Sequence, residues 1–177
     1  MGRSRYKIVE PMHPHFITCT ILHWIPIFTR METVQIVLES LNYLQKSDNL
    51  KIYAYVILEN HLHLIASSDD ISKSMQKFKS FTAKEILHYL QQQNAKTILD
   101  QLAFYKKAHK TETFYQLWQE GIQPKRIQDE EMMIERINYI HQNPLKRGYV
   151  DEAKHWRYSS GRDYEEIQGL LEVERLW

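Results

Sequence analysis

Cysteine occurs once in the 177 residues, at Cys19, so an internal disulfide framework is excluded and a reducing, cytoplasmic compartment is expected. Glycine and proline are scarce, with five of each, and residues 27–120 contain neither. A stretch without the two strongest structural punctuators is expected to hold regular elements joined by tight polar turns rather than a flexible linker. Long apolar runs are missing too. None approaches the ~18 residues of a membrane span, and the polar, basic opening (Met1 to Glu10) has no apolar centre of a signal peptide, so no membrane partner is expected. Net charge is almost absent, at +1 from 23 basic and 22 acidic side chains, which taken whole speaks against a protein that grips nucleic acid. There is no internal repeat and no G-x-S-x-G, Walker or paired-cysteine motif.

What remains is ordinary globular material, 43% hydrophobic and 25% charged. The length suits one domain over residues 1–150, with 151–177 as a C-terminal extension packed on it. His15 to Leu22 is β-branched and aromatic and reads as a strand. Val34, Val37, Leu38, Leu41 and Leu44 stand at helical spacing in a segment capped by Thr29 or Thr33 and running to about Gln45. Leu50 to Leu58 and His61 to Ala66 read as strands joined by a turn at Glu59-Asn60. Ser68-Asp69-Asp70 caps a long helix from Ile71 to Gln92. Residues 97–120 are ambiguous, and 121–128 form a loop or short strand. Asp129-Glu130-Glu131 opens a last helix, which Asn143-Pro144 closes. This order predicts an α+β fold, an antiparallel sheet with a split βαβ core covered by helices.

Two clusters suggest chemistry. Strand side chains alternate, so His61 and His63 share one face, where two imidazoles can hold one metal ion. On the last helix, Met133, Ile134, Ile137, Ile140 and His141 form the expected core stripe. Tyr139 falls roughly opposite it, with Asn143 one turn further on: a phenol beside an amide that can ligate a hard cation.

These pieces resemble a known family. ENHLHLI (residues 59–65) resembles the HUH motif, two histidines flanking a bulky hydrophobe. YIHQNPLKRGYV (Tyr139 to Val150) followed by HWRYSSGRDY (His155 to Tyr164) resembles the C-terminal signature of single-tyrosine HUH transposases, in particular the REP-associated branch. The similarity extends from the first strand to the tail. It implies a metal site of His61, His63 and Asn143 holding Mg²⁺ or Mn²⁺, with Tyr139 as nucleophile. It also implies cutting and rejoining of single-stranded DNA through a 5′-phosphotyrosine bond, at hairpin-forming repeats. A homodimer and a lone chain both accord with the family. Two other readings compete: a non-mobile DNA-hairpin binder, and a metal-dependent hydrolase of a small substrate that would not need Tyr139.

With DNA as the expected partner, the charge has to be summed locally. Residues 71–128 hold ten basic side chains against four acidic ones, a net +6 between two acidic flanks. The near-zero total is therefore a cancellation. Expected DNA contacts are Lys73, Lys77, Lys79 and Lys84 on one helix and Lys106, Lys107, Lys110, Lys125 and Arg126 beyond it. Lys146 and Arg147 add to them. Phe78, Phe81, Tyr105, Tyr115 and Trp118 are interleaved as rings on which unpaired bases can stack.

Overall fold

Pro14 leads into the first strand, β1 (His15–Thr20), of a computed structural model that describes residues 13–122 and 124–175. Helix α1 (Met31–Ser47), strands β2 (Lys51–Leu58) and β3 (His61–Ser67), and helices α2 (Ile71–Gln92) and α3 (Lys96–Phe104) follow. A two-residue strand, β4 (Lys125–Arg126), and helix α4 (Glu130–Lys146) complete the elements. The sheet order is β2-β3-β1-β4, with every neighbouring pair antiparallel. This is the mixed α+β architecture with the split βαβ order expected from the sequence. No helix among the described residues is long and apolar enough to cross a membrane.

Period-two alternation divides the chain between two cores. Ile17 and Cys19 of β1 and Leu62, Leu64 and Ala66 of β3 face α1 and α2, with Phe78 and Trp118 in the same cluster. Phe16, Val56, Leu58 and Ile65 face the other way, against Met133, Ile137 and Ile140 of α4. Each fully buried aliphatic or aromatic side chain here contributes roughly 1.5–3 kcal/mol of transfer free energy. β3 is buried along its whole length because helices cover both its faces. A register shift at Ile52/Ala54 turns both Tyr53 and Ala54 toward α4.

The expected boundaries shift in four places. α1 has Arg30 as its N-cap with no side-chain cap bond. Thr29 instead donates to Pro26 O, and Thr33, inside the helix, donates back to Ile27 O and Arg30 O. β1 stops at Thr20, although Ile21 still bridges to Trp118. Part of the ambiguous stretch is helical, as α3. Asn143-Pro144 does not close α4, which continues to Lys146. A proline in the last turn removes only one i→i−4 donor, so the helix tolerates it there.

The C-terminal tail runs along the outer edge of β2. Ile57 N donates to Tyr158 O (2.8 Å), Ser160 N to Tyr55 O (3.0 Å) and Glu174 N to Ile52 O (2.8 Å). Trp156 Nε1 donates to Ile57 O (3.0 Å) and Tyr164 Oη to Tyr53 O (2.9 Å). An edge strand so occupied cannot pair with another chain. Ser160 is the knot of this contact: its buried Oγ accepts from Tyr55 N at 2.9 Å and lies 2.9 Å from His141 Nε2. Ser160→Ala leaves those groups buried and unpaired. The expected loss is about 1–3 kcal/mol, read as a lower urea midpoint at unchanged slope.

Candidate functional site

The β2–β3 hairpin positions the histidines. Thr18 stands opposite His63 and Thr20 opposite His61 in the β1 register. Both imidazoles face α4, with ring centroids 4.7 Å apart and planes at 75°. That is closer than the ~7 Å expected along the backbone, because the rings lean together.

Each ring is held through Nδ1. Asn60 Nδ2 donates to Trp24 O at 3.1 Å, which turns its Oδ1 to within 2.6 Å of His61 Nδ1. A carbonyl oxygen only accepts, so His61 carries its proton on Nδ1 and keeps the Nε2 lone pair. His63 Nδ1 is 2.9 Å from Thr18 Oγ1, leaving its Nε2 as the outward pole. Burial is the main reason the pKa of His61 falls to about 4 and that of His63 to about 3. Arg147 pushes both the same way, His61 adds to the effect at His63, and Glu59 opposes it at His61. Both rings are neutral near pH 7, the form that binds metal.

Tyr139 comes to this pair from α4. Its ring meets His63 edge-on at 5.4 Å and Phe16 at 5.9 Å, while Phe16 stacks on His63 at 5.4 Å. Tyr139 remains 37% exposed. Asn143 is buried, and its Nδ2 donates to Tyr139 O at 3.1 Å, so its Oδ1 is the pole left for a ligand.

The expected core stripe of α4 needs correction. Ile134 is 38% exposed, whereas Asn143 and Pro144 are buried alongside Met133, Ile137 and Ile140. His141 is buried against Ser160 and Tyr164 of the tail rather than against the sheet. With its tail side covered, the helix presents an arc rotated toward Asn143. Tyr139 therefore lies at the rim of the helix–sheet interface instead of opposite it.

Among the described residues, no three His, Cys, Asp or Glu side chains gather as a metal cluster. Asn143 Oδ1 is an amide oxygen on the helix that brings Tyr139 to the two imidazoles, and so a candidate third ligand. Two neutral Nε2 donors and one amide oxygen form a donor set that a divalent ion accepts.

The sequence reading missed Thr18, Asn60 and Trp24. Thr18 becomes recognisable only once the β1–β3 register is known. His23 and Trp24 are consecutive non-glycine residues with positive φ, at 53° and 59°. Such conformations cost about 1–2 kcal/mol each and cluster at functional sites. Trp24 is 56% exposed, and its ring meets His61 at 5.7 Å.

A comparison with protein families matches residues 8–143 to the IS200-like transposase model. The chain belongs to that family. A Haemophilus influenzae protein that carries a REP-associated tyrosine transposase name is 26% identical over 109 residues, which is 60% of this chain and 56% of that protein. The chain thus spans little more than half the length of that curated relative. The structure of a REP-associated tyrosine transposase bound to a REP hairpin superposes with a TM-score of 0.65 at 17% identity. That match covers 98% of this chain and 92% of the other, and establishes a shared fold.

The basic residues divide between the two faces of the sheet. On the histidine side, Lys146 Nζ lies 5.8 Å from the centre of the Tyr139 ring, and Arg147 pairs with Glu59. Lys125 is the cross-strand partner of Phe16 and so projects to the same face. Arg126, next to it, is exposed and points to the other face. Lys73, Lys77, Lys79 and Lys84 stand on α2, which packs on the face away from the histidines. Two of them are already engaged. Lys77 pairs with Asp48 at 2.8 Å, and Lys79 donates to the carbonyls of Gln119 (2.7 Å) and Gly121 (3.0 Å). Burial also lowers the Lys79 pKa. Lys106, Lys107 and Lys110 follow α3, and Lys110 is 3.6 Å from Glu120. Phe78 and Trp118, expected as stacking rings, are core residues; Phe81 is 50% exposed.

Proposed function

We propose that this chain cuts and rejoins single-stranded DNA by transesterification, with Tyr139 as nucleophile. The observation that carries the reading is the edge-on packing of Tyr139 against His63, 5.4 Å away and next to His61. The phenol oxygen forms a bond to a backbone phosphorus, the bond from phosphorus to the 3′-oxygen breaks, and the phenolic proton ends on the released 3′-hydroxyl. One ester replaces another, so the step is nearly energy-neutral and runs in both directions without ATP. His61, His63 and Asn143 are the residues that would hold Mg²⁺ or Mn²⁺. Such an ion, when bound, polarises the scissile phosphate and offsets charge on its oxygens. Lys146 and Lys125 place positive charge on the face where the phosphate enters. Hairpin-forming repeats are the proposed target, in keeping with the REP hairpin bound by the structural relative. Histidines and tyrosine meet within one chain, so the reading needs no second copy.

The test is covalent capture. Protein, single-stranded DNA hairpins and Mn²⁺ are mixed, denatured and run on a gel. A protein–DNA adduct is expected; hairpins that bind with no adduct under Mn²⁺ or Mg²⁺ would sink the reading. Thr18→Val tests how the metal ligand is held. It removes the partner that fixes the His63 ring, so Mn²⁺ affinity measured by calorimetry is expected to fall about 10- to 100-fold.

A further inference from the structure

We propose that the rings of Trp24, His23, Tyr105 and Phe104 form a stacking track that carries the unpaired strand flanking the cleavage point from the histidine pair to the Lys106–Lys107 segment. The inference rests on the single-strand cleavage reading and adds to it the path of the DNA. Trp24 stands at the lip of the site, its ring 5.7 Å from that of His61. Its chain neighbour His23 stacks on Tyr105 at 3.6 Å and 15°, and Tyr105 meets Phe104 at 5.0 Å. The rings therefore lead outward from His61 in two groups, Trp24 and then His23 with Tyr105 and Phe104, joined by the peptide bond between His23 and Trp24. The His23–Tyr105 stack leaves its outer faces open to a base.

Exposure separates this series from core packing. Trp24 is 56% exposed, Tyr105 37% and Phe104 81%, and His23 is also exposed. Exposed rings that adjoin one another form a contiguous apolar patch, the kind of surface that marks an interaction site. The left-handed backbone of His23 and Trp24 holds both side chains outside the core. It is fixed by bonds from Trp24 N to Ile21 O (3.0 Å) and from Asn60 Nδ2 to Trp24 O (3.1 Å). Asn60 is also the residue that sets the His61 tautomer, so the start of the track and the site share one anchor.

The occupant follows from chemistry. Every base has a flat face that stacks on an aromatic ring, and only unpaired bases offer it. Lys107, exposed and two residues after Tyr105, supplies a cation for the phosphates, and Lys106 adds charge beside it while donating to Lys110 O at 2.5 Å. Duplex DNA fits poorly, since its bases are stacked on one another.

The test compares a DNA hairpin bearing single-stranded flanks with the same hairpin made blunt, by fluorescence anisotropy. Wild-type protein is expected to prefer the flanked form. Trp24→Ala and Tyr105→Ala should each weaken flanked binding about 5- to 100-fold and leave blunt binding unchanged, while Trp24→Phe retains most of the affinity. Phe104→Ala, at the most exposed ring, gives the same pattern with the least disturbance of the fold. Equal binding of both hairpins by the wild type, or ring variants that lose nothing, overturns the track. Flank-dependent binding without a covalent adduct would instead reject cleavage and leave the track standing. An adduct formed equally well by all ring variants rejects the track alone.

Discussion

Tyr139→Phe protein will bind its hairpin as the wild type does and cut it at least about 10⁴-fold more slowly, the scale seen when a covalent nucleophile is deleted. The substitution removes one oxygen and little else. The ring contacts with Phe16 at 5.9 Å and His63 at 5.4 Å, and the Lys146 amine 5.8 Å away, depend on the ring and survive it. Asn143 reaches the Tyr139 backbone carbonyl, not the phenol, so its amide keeps its place. The melting temperature should therefore stay near that of the wild type. Rate is measured on labelled hairpin in single turnover, and adduct by denaturing gel. Residual cutting within tenfold of wild type would assign the nucleophile elsewhere. A loss of DNA binding would show that the phenol grips substrate instead of attacking it.

Much of this site is legible in the sequence because strand alternation is a local property. His61-Leu62-His63 sends both imidazoles to one face whatever the rest of the chain does. The long α2 is equally local: Asp70 caps it by accepting from Lys73 N at 3.0 Å, and its bounds match the expected ones. What the sequence hides is tertiary. The rotation of α4 depends on a tail that covers His141 with Ser160, 19 positions further along the chain, and with Tyr164, beyond the reach of helical periodicity, which on its own puts Ile134 in the core. The split of the basic residues between two faces has a related cause. Summed along the chain, Lys73 to Lys84 belong with the basic centre; folded, they lie across the sheet from Tyr139. Linear charge cannot tell the two faces of a sheet apart. Thr18 and Trp24 were invisible for want of register and of a backbone conformation that their residue types do not advertise.

Metal-free protein will lose stability steeply as pH falls below about 6.5. Three buried histidines drive this: His61 and His141, with pKa values near 4, and His63, near 3. Burial is the leading cause for each, so the folded chain holds them neutral while the unfolded chain protonates them near 6.5. Below that value the unfolded state binds more protons, and stability falls with pH until the folded values are reached. Each histidine contributes up to about 1.4 kcal/mol per pH unit across that window. Urea midpoints measured with a chelator between pH 7 and pH 5 check the slope, and a flat profile would refute it. His141→Gln should make the slope shallower by about a third, because His141 serves the Ser160 anchor and not the metal. Adding Mn²⁺ then separates the two roles. On the proposed metal site the ion would bind only the folded, deprotonated pair, so it should raise the midpoint of wild type and His141→Gln alike. In the double variant His61→Gln, His63→Gln it should raise nothing, and that contrast assigns the acid sensitivity of the pair to the same nitrogens that hold the metal.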